Sequence, residues 1–442
     1  MVWLDKIVEL LGSVTVLFLF FSGLAVLIAI LLFSKNGNNT VSDDRRKRTV
    51  EKGAKSGGRS PFGSLCLALA GTLGVGNISG VAAAISVGGA GAVFWMWISA
   101  VFCSALKFAE VVLAVRFRKR KADGGYEGGA HYYIKDGLGV GGIASFFCIL
   151  CVFSSYTIGN MTQVNAAAQS FRLAFGMNEY LCGALCFILI LVFCRSGSAI
   201  YSFTLRLIPI LCVGYIGVSI AVIVRNFEEV GDIIRLITHS AFTPQAGVGG
   251  IIGVVCGKAF RIGITRGVLS NEAGCGTAPI AHASSSASSP FAQGVLGVVE
   301  VLFDTLFLCT LTALTILISD VDAASAPSTV IALTAFSMEL GEWVRLPLAC
   351  AMLLFAIASA VGWNYYGRVS LSYLGAGKSA IVIYCVSYAV CAFFGAGASE
   401  GIIWLLSDVS IYLMSLINTA AVLMLMRFLK KSENGIDIRV SR

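Results

Sequence analysis

The sequence predicts an all-α polytopic membrane protein with about eleven transmembrane helices. Hydrophobic residues make up 57% of the 442 positions and charged residues only 13%, and the mean hydropathy is +0.85. These values exclude an ordinary soluble domain. Apolar runs long enough to cross a bilayer recur along the whole chain. Basic residues cluster between some of these runs, as they do in the cytoplasmic loops of membrane proteins.

Each apolar run of about 18 residues or more is predicted to span the membrane. The first run is expected to be a retained span, because no small-residue cleavage site of a signal peptide follows it. The predicted spans are residues 11–33, 62–87, 91–115, 142–171, 179–194, 203–224, 247–270, 292–318, 346–372, 379–397 and 401–427.

Lysine and arginine clusters set the predicted orientation. They follow the first, third and last spans, at Arg45–Arg48, Arg116–Lys121 and Lys430–Arg439. Eleven spans place all three clusters on the cytoplasmic side, with the N-terminus outside and the C-terminus inside. The stretches Asn226–Ser240 and Ser319–Arg345 then form sparse loops on the outer side.

The predicted domain organisation is two five-helix repeats preceded by an additional helix. Residues 1–34 form the additional helix, 35–61 a basic cytoplasmic loop, 62–224 the first repeat, 225–246 an extracellular loop, 247–427 the second repeat and 428–442 a cytoplasmic tail. Within the first repeat, residues 124–141 are too polar to span and are expected to form an interfacial helix flanked by glycines, with His131 as a surface or packing residue.

The stretch Leu67–Ile85 is an apolar span interrupted by Gly71, Gly74 and Gly76, with Asn77 beside them. Each glycine costs a helix roughly 1 kcal/mol relative to alanine, so the cluster predicts an unwound segment. Unwound backbone at membrane depth is tolerated where protein or a water-filled cavity satisfies its polar groups. Its free carbonyls suit a cation or an ammonium group, and its free N–H groups suit a carboxylate.

A second glycine-interrupted span is predicted at residues 247–270, about 180 residues after the first. Two interrupted spans in corresponding positions indicate a transporter built from inverted repeats. Here the inference rests on spacing alone. The glycines concerned are Gly249, Gly250, Gly253 and Gly257.

Polar residues inside other spans are candidate functional groups. Gln163 either offers its amide to a bound carboxylate or makes an interhelical hydrogen bond. Lys107 and Glu110 are three residues apart, which favours a structural ion pair between them over a gate. Glu300 and Asp304 share one helix face and need partners from elsewhere, so proton coupling stays open.

Enzymatic and nucleic-acid functions are not indicated. No nucleophile, base and orienting group fall together, and no cofactor motif is found in its required context. The three histidines are not spaced as metal ligands, and most of the cysteines lie in apolar runs as small buried residues. We therefore expect no cofactor apart from a coupling ion.

Taken together, seven stretches resemble the alanine or glycine:cation symporters, also called amino acid carrier proteins. They cover nearly the whole predicted transport core in order. The most specific is RGVLSNEAGCGTAPIAHA (266–283), and the others are GTLGVGNISGVAAAI (71–85), KFAEVVLAVRFR (107–118), GGAHYYIKDGLG (128–139), GNMTQVN (159–165), LCTLTALTIL (308–317) and GWNYYG (362–367).

The resemblance implies a LeuT-like fold and sodium-coupled uptake of a small neutral amino acid, with protons replacing sodium in some members. The implied carboxylate ligands are the N–H groups of Val75 and Gly76. The carbonyl of Thr72 would hold the ammonium group, Asn77 would brace the turn, and Gln163 would face the substrate. Gly74, Gly253 and Gly257 would line a pocket for a small side chain.

The resemblance also implies a sodium site between the first broken span and the ninth span. Its ligands would be the carbonyls of Ala70, Leu73 and Phe355 and the hydroxyl of Ser359. A hydroxyl bonded back to its own helix is the alternative for Ser359.

Four positions depart from the family pattern. Ala358 replaces the first of two adjacent hydroxyl residues, Arg368 stands where an acid is usual, and Ala130 with His131 replace a Pro-Met pair. The missing hydroxyl leaves sodium and proton coupling both open.

The predicted function is inward symport of alanine or glycine with sodium by a multi-pass protein of a bacterial inner membrane. The predicted partners are the amino acid, sodium and the lipid bilayer. The alternatives are a proton-coupled or uncoupled carrier and a non-transporting amino acid sensor.

Overall fold

The computed structural model describes residues 2–35, 58–242, 257–322 and 326–429, and these residues are almost entirely helical. Eight of their helices are long and apolar enough to cross a membrane, and a ninth span is formed if a pair of short helices bent by 65° counts as one. The chain is therefore a helical polytopic membrane protein, as the composition predicts.

The first half of the chain contains α1 to α9. The N-terminal helix α1 precedes a broken helix, α2 and α3, and the remaining helices follow in order. Their bounds are α1 Val2–Lys35, α2 Pro61–Thr72, α3 Ser79–Gly88, α4 Gly91–Phe117, α5 Ala130–Tyr132, α6 Gly141–Tyr156, α7 Thr162–Phe175, α8 Glu179–Phe193 and α9 Gly197–Arg225. A π-helical segment, Thr157–Met161, joins α6 to α7, so the two form one span.

The second half contains α10 to α18. Their bounds are α10 Val230–Ala241, α11 Lys258–Asn271, α12 Ala278–Ala283, α13 Pro290–Val301, α14 Cys309–Ile318, α15 Ser328–Leu340, α16 Arg345–Tyr373, α17 Lys378–Ala396 and α18 Glu400–Met424. The π-helical segment Leu302–Leu308 joins α13 to α14. In each half a broken helix is followed by further apolar helices, which are α4 and α6 to α9 in the first half and α13, α14 and α16 to α18 in the second.

The two outer loops need correcting, because each contains a helix. Residues 225–246 include α10, and Ser319–Arg345 includes α15. Both helices are shorter than a span, and α10 has three charged or titratable residues within its twelve positions. A search for runs of 18 apolar residues does not detect such helices.

The second interruption in the described residues follows α11. Residues 243–256, which include Gly249, Gly250 and Gly253, are outside the described part of the chain. Lys258–Asn271 is a continuous helix, and the chain leaves the helical path at Glu272, where φ is 51°. The observed break is residues 272–277, between α11 and α12, with Gly274 and Gly276 also at positive φ.

Helix α4 lies at the centre of the bundle and packs against α11 and α13. Glycines make the approach to α11 close: a Cβ at Gly263 would lie 2.3 Å from the carbonyl oxygen of Ala92, and one at Gly267 would lie 2.0 Å from Ser99 Oγ. Small residues at such contacts are the usual basis of helix packing in membranes.

The polar segment between α4 and α6 is a packed structure, not a helix lying on the surface. Its strands β1 (Lys119–Arg120) and β2 (Tyr126–Glu127) pair antiparallel. Helix α5 and the π-helical turn Tyr133–Gly137 follow. The side chain of His131 is fully buried in this segment, and neither ring nitrogen has a hydrogen-bond partner. The ring packs against the rings of Tyr132 and Tyr373.

We predict that His131→Met stabilises the protein, most strongly at low pH. Methionine is the residue that the family pattern has here, and the change removes two buried nitrogens without partners, each costing about 1–3 kcal/mol. Burial also lowers the pKa of His131 to about 3, against about 6.5 in the unfolded chain. Between these values the unfolded state binds more protons, so wild-type stability falls by about 1.4 kcal/mol per pH unit on acidification.

Thermal unfolding in detergent at pH 7.5 and pH 5 tests this. The melting temperature of His131→Met should exceed that of the wild type at both pH values, by more at pH 5. An equal fall of the melting temperature for wild type and His131→Met would contradict the assignment.

Candidate functional site

The first interruption separates α2 from α3 by a single 3-10 turn, Val75–Asn77. Two of the backbone N–H groups that it frees are held by side chains. The N–H of Gly74 donates to Asn77 Oδ1 at 3.3 Å, and the N–H of Val75 donates to Gln163 Oε1 at 3.0 Å. Gln163 Nε2 in turn donates to the carbonyl of Ile158 at 3.1 Å. Gln163 Oε1 therefore accepts a hydrogen bond from the N–H group that, by the family resemblance, would bind the substrate carboxylate.

Asn77 connects this turn to an acidic residue on the π-helical segment before α14. Its Nδ2 donates to Asp304 Oδ1 at 2.6 Å. Ser270 Oγ and Thr305 Oγ1 donate to Asp304 Oδ2 at 2.7 and 2.9 Å. Asp304 is fully buried, and among the residues that the structure describes it forms no ion pair. Asn77 thus holds the unwound turn against the rest of the bundle.

The second interruption is held in the same way, by Glu110 and Asn418. Glu110 Oε1 accepts from the N–H of Gly276 at 3.2 Å and from Asn418 Nδ2. Asn418 also donates to the carbonyl of Gly274 at 2.8 Å. The residue that opens this interruption, Glu272, accepts from Trp363 Nε1 at 3.2 Å and from Thr277 Oγ1 at 2.8 Å.

A small cavity of about 40 Å³ lies beside the first interruption. Four predicted substrate ligands line it, and Gly74 adjoins it, since a Cβ there would lie 2.4 Å from Gln163 Oε1. Gly257 is not in the lining: it precedes α11, about 14 Å along the helix from Arg266. Gly253 lies outside the described residues. The lining comprises Gly71, Thr72, Val75, Gly76, Gly80, Ile158, Thr162, Gln163, Arg266, Leu269, Ser270, Glu272 and Trp404.

Several residues of this lining have no role predicted from the sequence. Arg266, Ser270 and Glu272 lie in the family-specific block 266–283, and an acid directly after a predicted span is a signal that could have identified Glu272. Trp404 belongs to α18 and had no sequence signal. The guanidinium of Arg266 lies 5.4 Å from the ring centroid of Trp404. Arg266 and Glu272 bring a cation and a carboxyl group to the same cavity.

The four predicted sodium ligands are all buried. Ala70 lies in the last turn of α2 and Leu73 directly follows it, where helix carbonyls lack partners within the helix. Ser359 Oγ donates to the carbonyl of Gly71 at 3.0 Å. The hydroxyl therefore reaches across from α16 to the end of α2, in place of a bond back to its own helix. Ala358, beside it, is fully buried as well.

Lys107 pairs with Glu300, not with Glu110 as the sequence spacing favoured. Its Nζ lies 3.3 Å from Glu300 Oε1, and His282 Nε2 lies 2.9 Å from Glu300 Oε2. Gln293 Nε2, 2.7 Å from His282 Nδ1, can only donate, so His282 Nε2 carries the proton that Glu300 accepts. This buried network ties α4, α12 and α13 together. It supplies the partner for Glu300 that the sequence required.

Arg59 joins four parts of the chain at the end of the bundle where α2 begins. Its Nη2 donates to the carbonyl of Gly197 at 2.9 Å, and its backbone pairs with the strand-like segment at Ser285. Its guanidinium lies 4.4 Å from the ring centroid of Tyr365 and 5.1 Å from that of Tyr201. Movement of α2 away from α9 and α16 must break these contacts.

Comparison with known proteins identifies relatives along nearly the whole chain. The profile of the sodium:alanine symporter family matches residues 2–435. The sodium/alanine symporter AgcS of Methanococcus maripaludis is 34% identical over 374 residues, 83% of this chain and 82% of the relative. The probable sodium/glutamine symporter GlnT of Bacillus subtilis is 36% identical over 390 residues, 86% of this chain and 79% of the relative.

Other similar proteins are less informative. An uncharacterized transporter of Haemophilus influenzae is 34% identical over 377 residues, with 84% of this chain and 82% of the relative covered. Among solved structures, a manganese transporter of Eremococcus coleocola is 14% identical with a TM-score of 0.49, over 84% of this chain and 77% of that one.

We predict that Asn77→Asp is more damaging than Asn77→Ala. Asn77→Ala leaves the N–H of Gly74 and Oδ1 of Asp304 without their partner, which costs about 1–3 kcal/mol. A second carboxylate at hydrogen-bond distance from Asp304 adds repulsion between like charges. The double variant Asn77→Asp/Asp304→Asn exchanges the two groups and should recover stability relative to Asn77→Asp. Thermal unfolding of the three variants measures this, and a double variant no more stable than Asn77→Asp would show that the contact is not formed.

Proposed function

Because the chain belongs to the sodium:alanine symporter family, we propose that it couples the inward movement of a small neutral amino acid, alanine or glycine, to sodium flowing down its gradient. The family and its relatives are transporters, not enzymes. The observation that carries the proposal is the unwound turn between α2 and α3, whose backbone polar groups adjoin a small cavity inside the bundle.

The substrate carboxylate binds the N–H groups of Val75 and Gly76. Gln163 Oε1, 3.0 Å from the nitrogen of Val75, stands where a carboxylate oxygen would accept. Substrate binding therefore displaces this oxygen, and the flexible Gln163 side chain turns its Nε2 toward the carboxylate. The ammonium group binds the carbonyl of Thr72, which ends α2 and lacks a partner within the helix. Glu272, whose carboxyl group also lines the cavity, offers acceptor oxygens to the ammonium group.

Substrate size favours alanine and glycine over glutamine. The relatives carry both sodium/alanine and sodium/glutamine names, so the family leaves the choice open. The cavity of about 40 Å³ is a few times the roughly 10–15 Å³ that one water requires, so it suits a small side chain. Gly76 and Gly80 line its wall, and a Cβ added at either position would meet no neighbouring atom within 4 Å, so a methyl group fits beside them. A glutamine side chain requires the helices to separate.

Sodium binds between α2 and α16, through the carbonyls of Ala70, Leu73 and Phe355 and the hydroxyl of Ser359. The bond from Ser359 to Gly71 supports this placement, because it brings the hydroxyl to the C-terminal end of α2, where the helix dipole favours a cation. Ala358 supplies no oxygen. The shell accordingly has one side-chain ligand where the family pattern has two.

Protons are a second candidate coupling ion, and Asp304 is the observation that favours them. Its carboxyl group is fully buried, has no basic partner among the described residues and is one hydrogen bond from the substrate turn through Asn77. Ionisable residues in such positions mark ion and proton pathways in membrane proteins. Coupling by protons would need no second hydroxyl beside Ser359.

Transport proceeds by alternating access, with the broken helices moving against the remaining helices. The contacts of Arg59 with Gly197 and Tyr365 close one end of the bundle and must open in the cycle. The expected location is a bacterial inner membrane, with the N-terminus outside and the C-terminus in the cytoplasm.

Uptake into proteoliposomes tests the function. Radiolabelled alanine is added with an inward sodium gradient, an equimolar potassium gradient, or potassium with an inward proton gradient. We expect uptake with sodium, competition by excess glycine and weak competition by glutamine. Uptake with protons alone assigns coupling to protons, and equal uptake under all three conditions indicates an uncoupled carrier. Alanine binding with no uptake indicates a sensor, and robust uptake of leucine with none of alanine would refute the substrate assignment.

We further predict opposite effects of two adjacent substitutions on the sodium requirement. Ser359→Ala removes a ligand, so the sodium concentration for half-maximal uptake should rise about tenfold or more, the loss of one hydrogen-bond-sized interaction of about 1.4 kcal/mol. Ala358→Ser restores the second hydroxyl and should lower that concentration. Uptake measured against sodium concentration decides this, with the alanine KM at saturating sodium as the control. Unchanged sodium dependence in Ser359→Ala would place the ion elsewhere.

A further inference from the structure

The outer face of α9 carries a groove that takes no part in the site described above. It has a volume of about 350 Å³ and lies between the end of α8 and the first turns of α9. The ring centroids of Phe193 and Phe203 stack 3.9 Å apart across it. Its lining comprises Phe193, Ala199, Ser202, Phe203, Arg206, Leu207 and Ile210.

Arg206 is the charged group of the groove, and its side chain is exposed. It forms no ion pair or hydrogen bond with the residues that the structure describes. Arg206 follows the first residue of α9 by nine positions, about 14 Å along the helix axis. The 29 residues of α9 extend about 43 Å, longer than the roughly 30 Å hydrocarbon core. Arg206 therefore begins inside the hydrocarbon region, with its guanidinium extending toward the headgroups.

The surroundings of Arg206 separate into a polar and an apolar side. Ser202 lies one helical turn nearer the membrane surface on the same face, and exposed Arg195 lies in the turn before α9. One turn deeper, Ile210 is 68% exposed, and Leu207 continues the apolar wall. A cation with a hydroxyl above it and an apolar channel below it complements a phosphate joined to an acyl chain.

We propose that this groove binds an anionic phospholipid, with the phosphate on Arg206 and Ser202 and one acyl chain along Phe203, Leu207 and Ile210. Arginine suits this role because its guanidinium binds two phosphate oxygens at once. The negative charge of the lipid offsets the charge that α9 exposes at this depth. The proposal requires only that the chain spans a membrane and does not depend on the substrate or the coupling ion.

The groove lies on a helix that also contacts the start of α2. Tyr201, the residue before Ser202, points to another side of α9, where its hydroxyl lies 3.1 Å from Ser60 Oγ and its ring packs against Arg59. A lipid in the groove thus holds one face of the first turns of α9 while another face holds the start of α2.

Native mass spectrometry of the full-length protein, titrated with phosphatidylglycerol or with phosphatidylcholine of the same acyl chains, tests the proposal. We expect phosphatidylglycerol to bind at least tenfold more tightly. Arg206→Gln should reduce its affinity to that of phosphatidylcholine, and Arg206→Lys should retain part of the preference. Arg235→Gln removes another exposed charge, on α10, and should bind as the wild type does. Ile210→Ser, which leaves the charge intact, should weaken the binding of both lipids.

Three results would overturn the proposal. The first is wild-type affinity of Arg206→Gln for phosphatidylglycerol. The second is an equal loss of affinity in Arg235→Gln, which would indicate a general effect of net charge. The third is competition by glycerol 3-phosphate at millimolar concentration, which would indicate a phosphate site without an acyl chain contact. The melting temperature of Arg206→Gln serves as the folding control.

Discussion

The obligation to satisfy backbone groups released at membrane depth governs the centre of this protein. Two helices of the described chain are interrupted, between α2 and α3 and between α11 and α12, and the bilayer core offers no water to bond the free N–H and C=O groups. Each interruption is held by a buried amide together with a buried carboxyl group: Asn77 with Asp304 at the first, and Asn418 with Glu110 at the second. The presence of these four polar residues in the buried core is therefore explained by the two interruptions.

The same obligation accounts for the contact between Gln163 and the first interruption. The N–H of Val75 has no backbone acceptor within the turn, and Gln163 Oε1 provides one. In the function proposed above, a ligand carboxylate would replace this acceptor by a stronger, charged one. Binding would then exchange hydrogen bonds without leaving any unmade, at the cost of displacing one flexible side chain.

Local composition predicts those features of the fold that depend on neighbouring residues alone, such as a helix interruption at a glycine cluster. The glycines around Gly74 predict the first interruption because each one weakens the helix that contains it, and Asn77 stands beside them. The same signal, a glycine cluster in an apolar run, places the second break at Gly249–Gly257. Residues 243–256 lie outside the described part of the chain, so that prediction stays a prediction. The interruption that the described residues contain begins at Glu272, where φ is 51°, and no glycine cluster precedes it in α11. Helices α10 and α15 are not predicted because both are shorter than the run of about 18 apolar residues that identifies a membrane span.

The spacing of residues along one helix does not predict which side chains from distant parts of the chain they will contact. Lys107 and Glu110 stand three residues apart on α4, yet Lys107 pairs with Glu300 and Glu110 holds the second interruption. Spacing on one helix specifies which side chains share a face, and the helices that pack there decide which pairs form. Lys107 faces α13, whereas Glu110 faces the segment after α11 and Asn418 of α18. Two residues three positions apart on one helix therefore belong to separate networks, Lys107 to the ion pair with Glu300 and Glu110 to the second interruption.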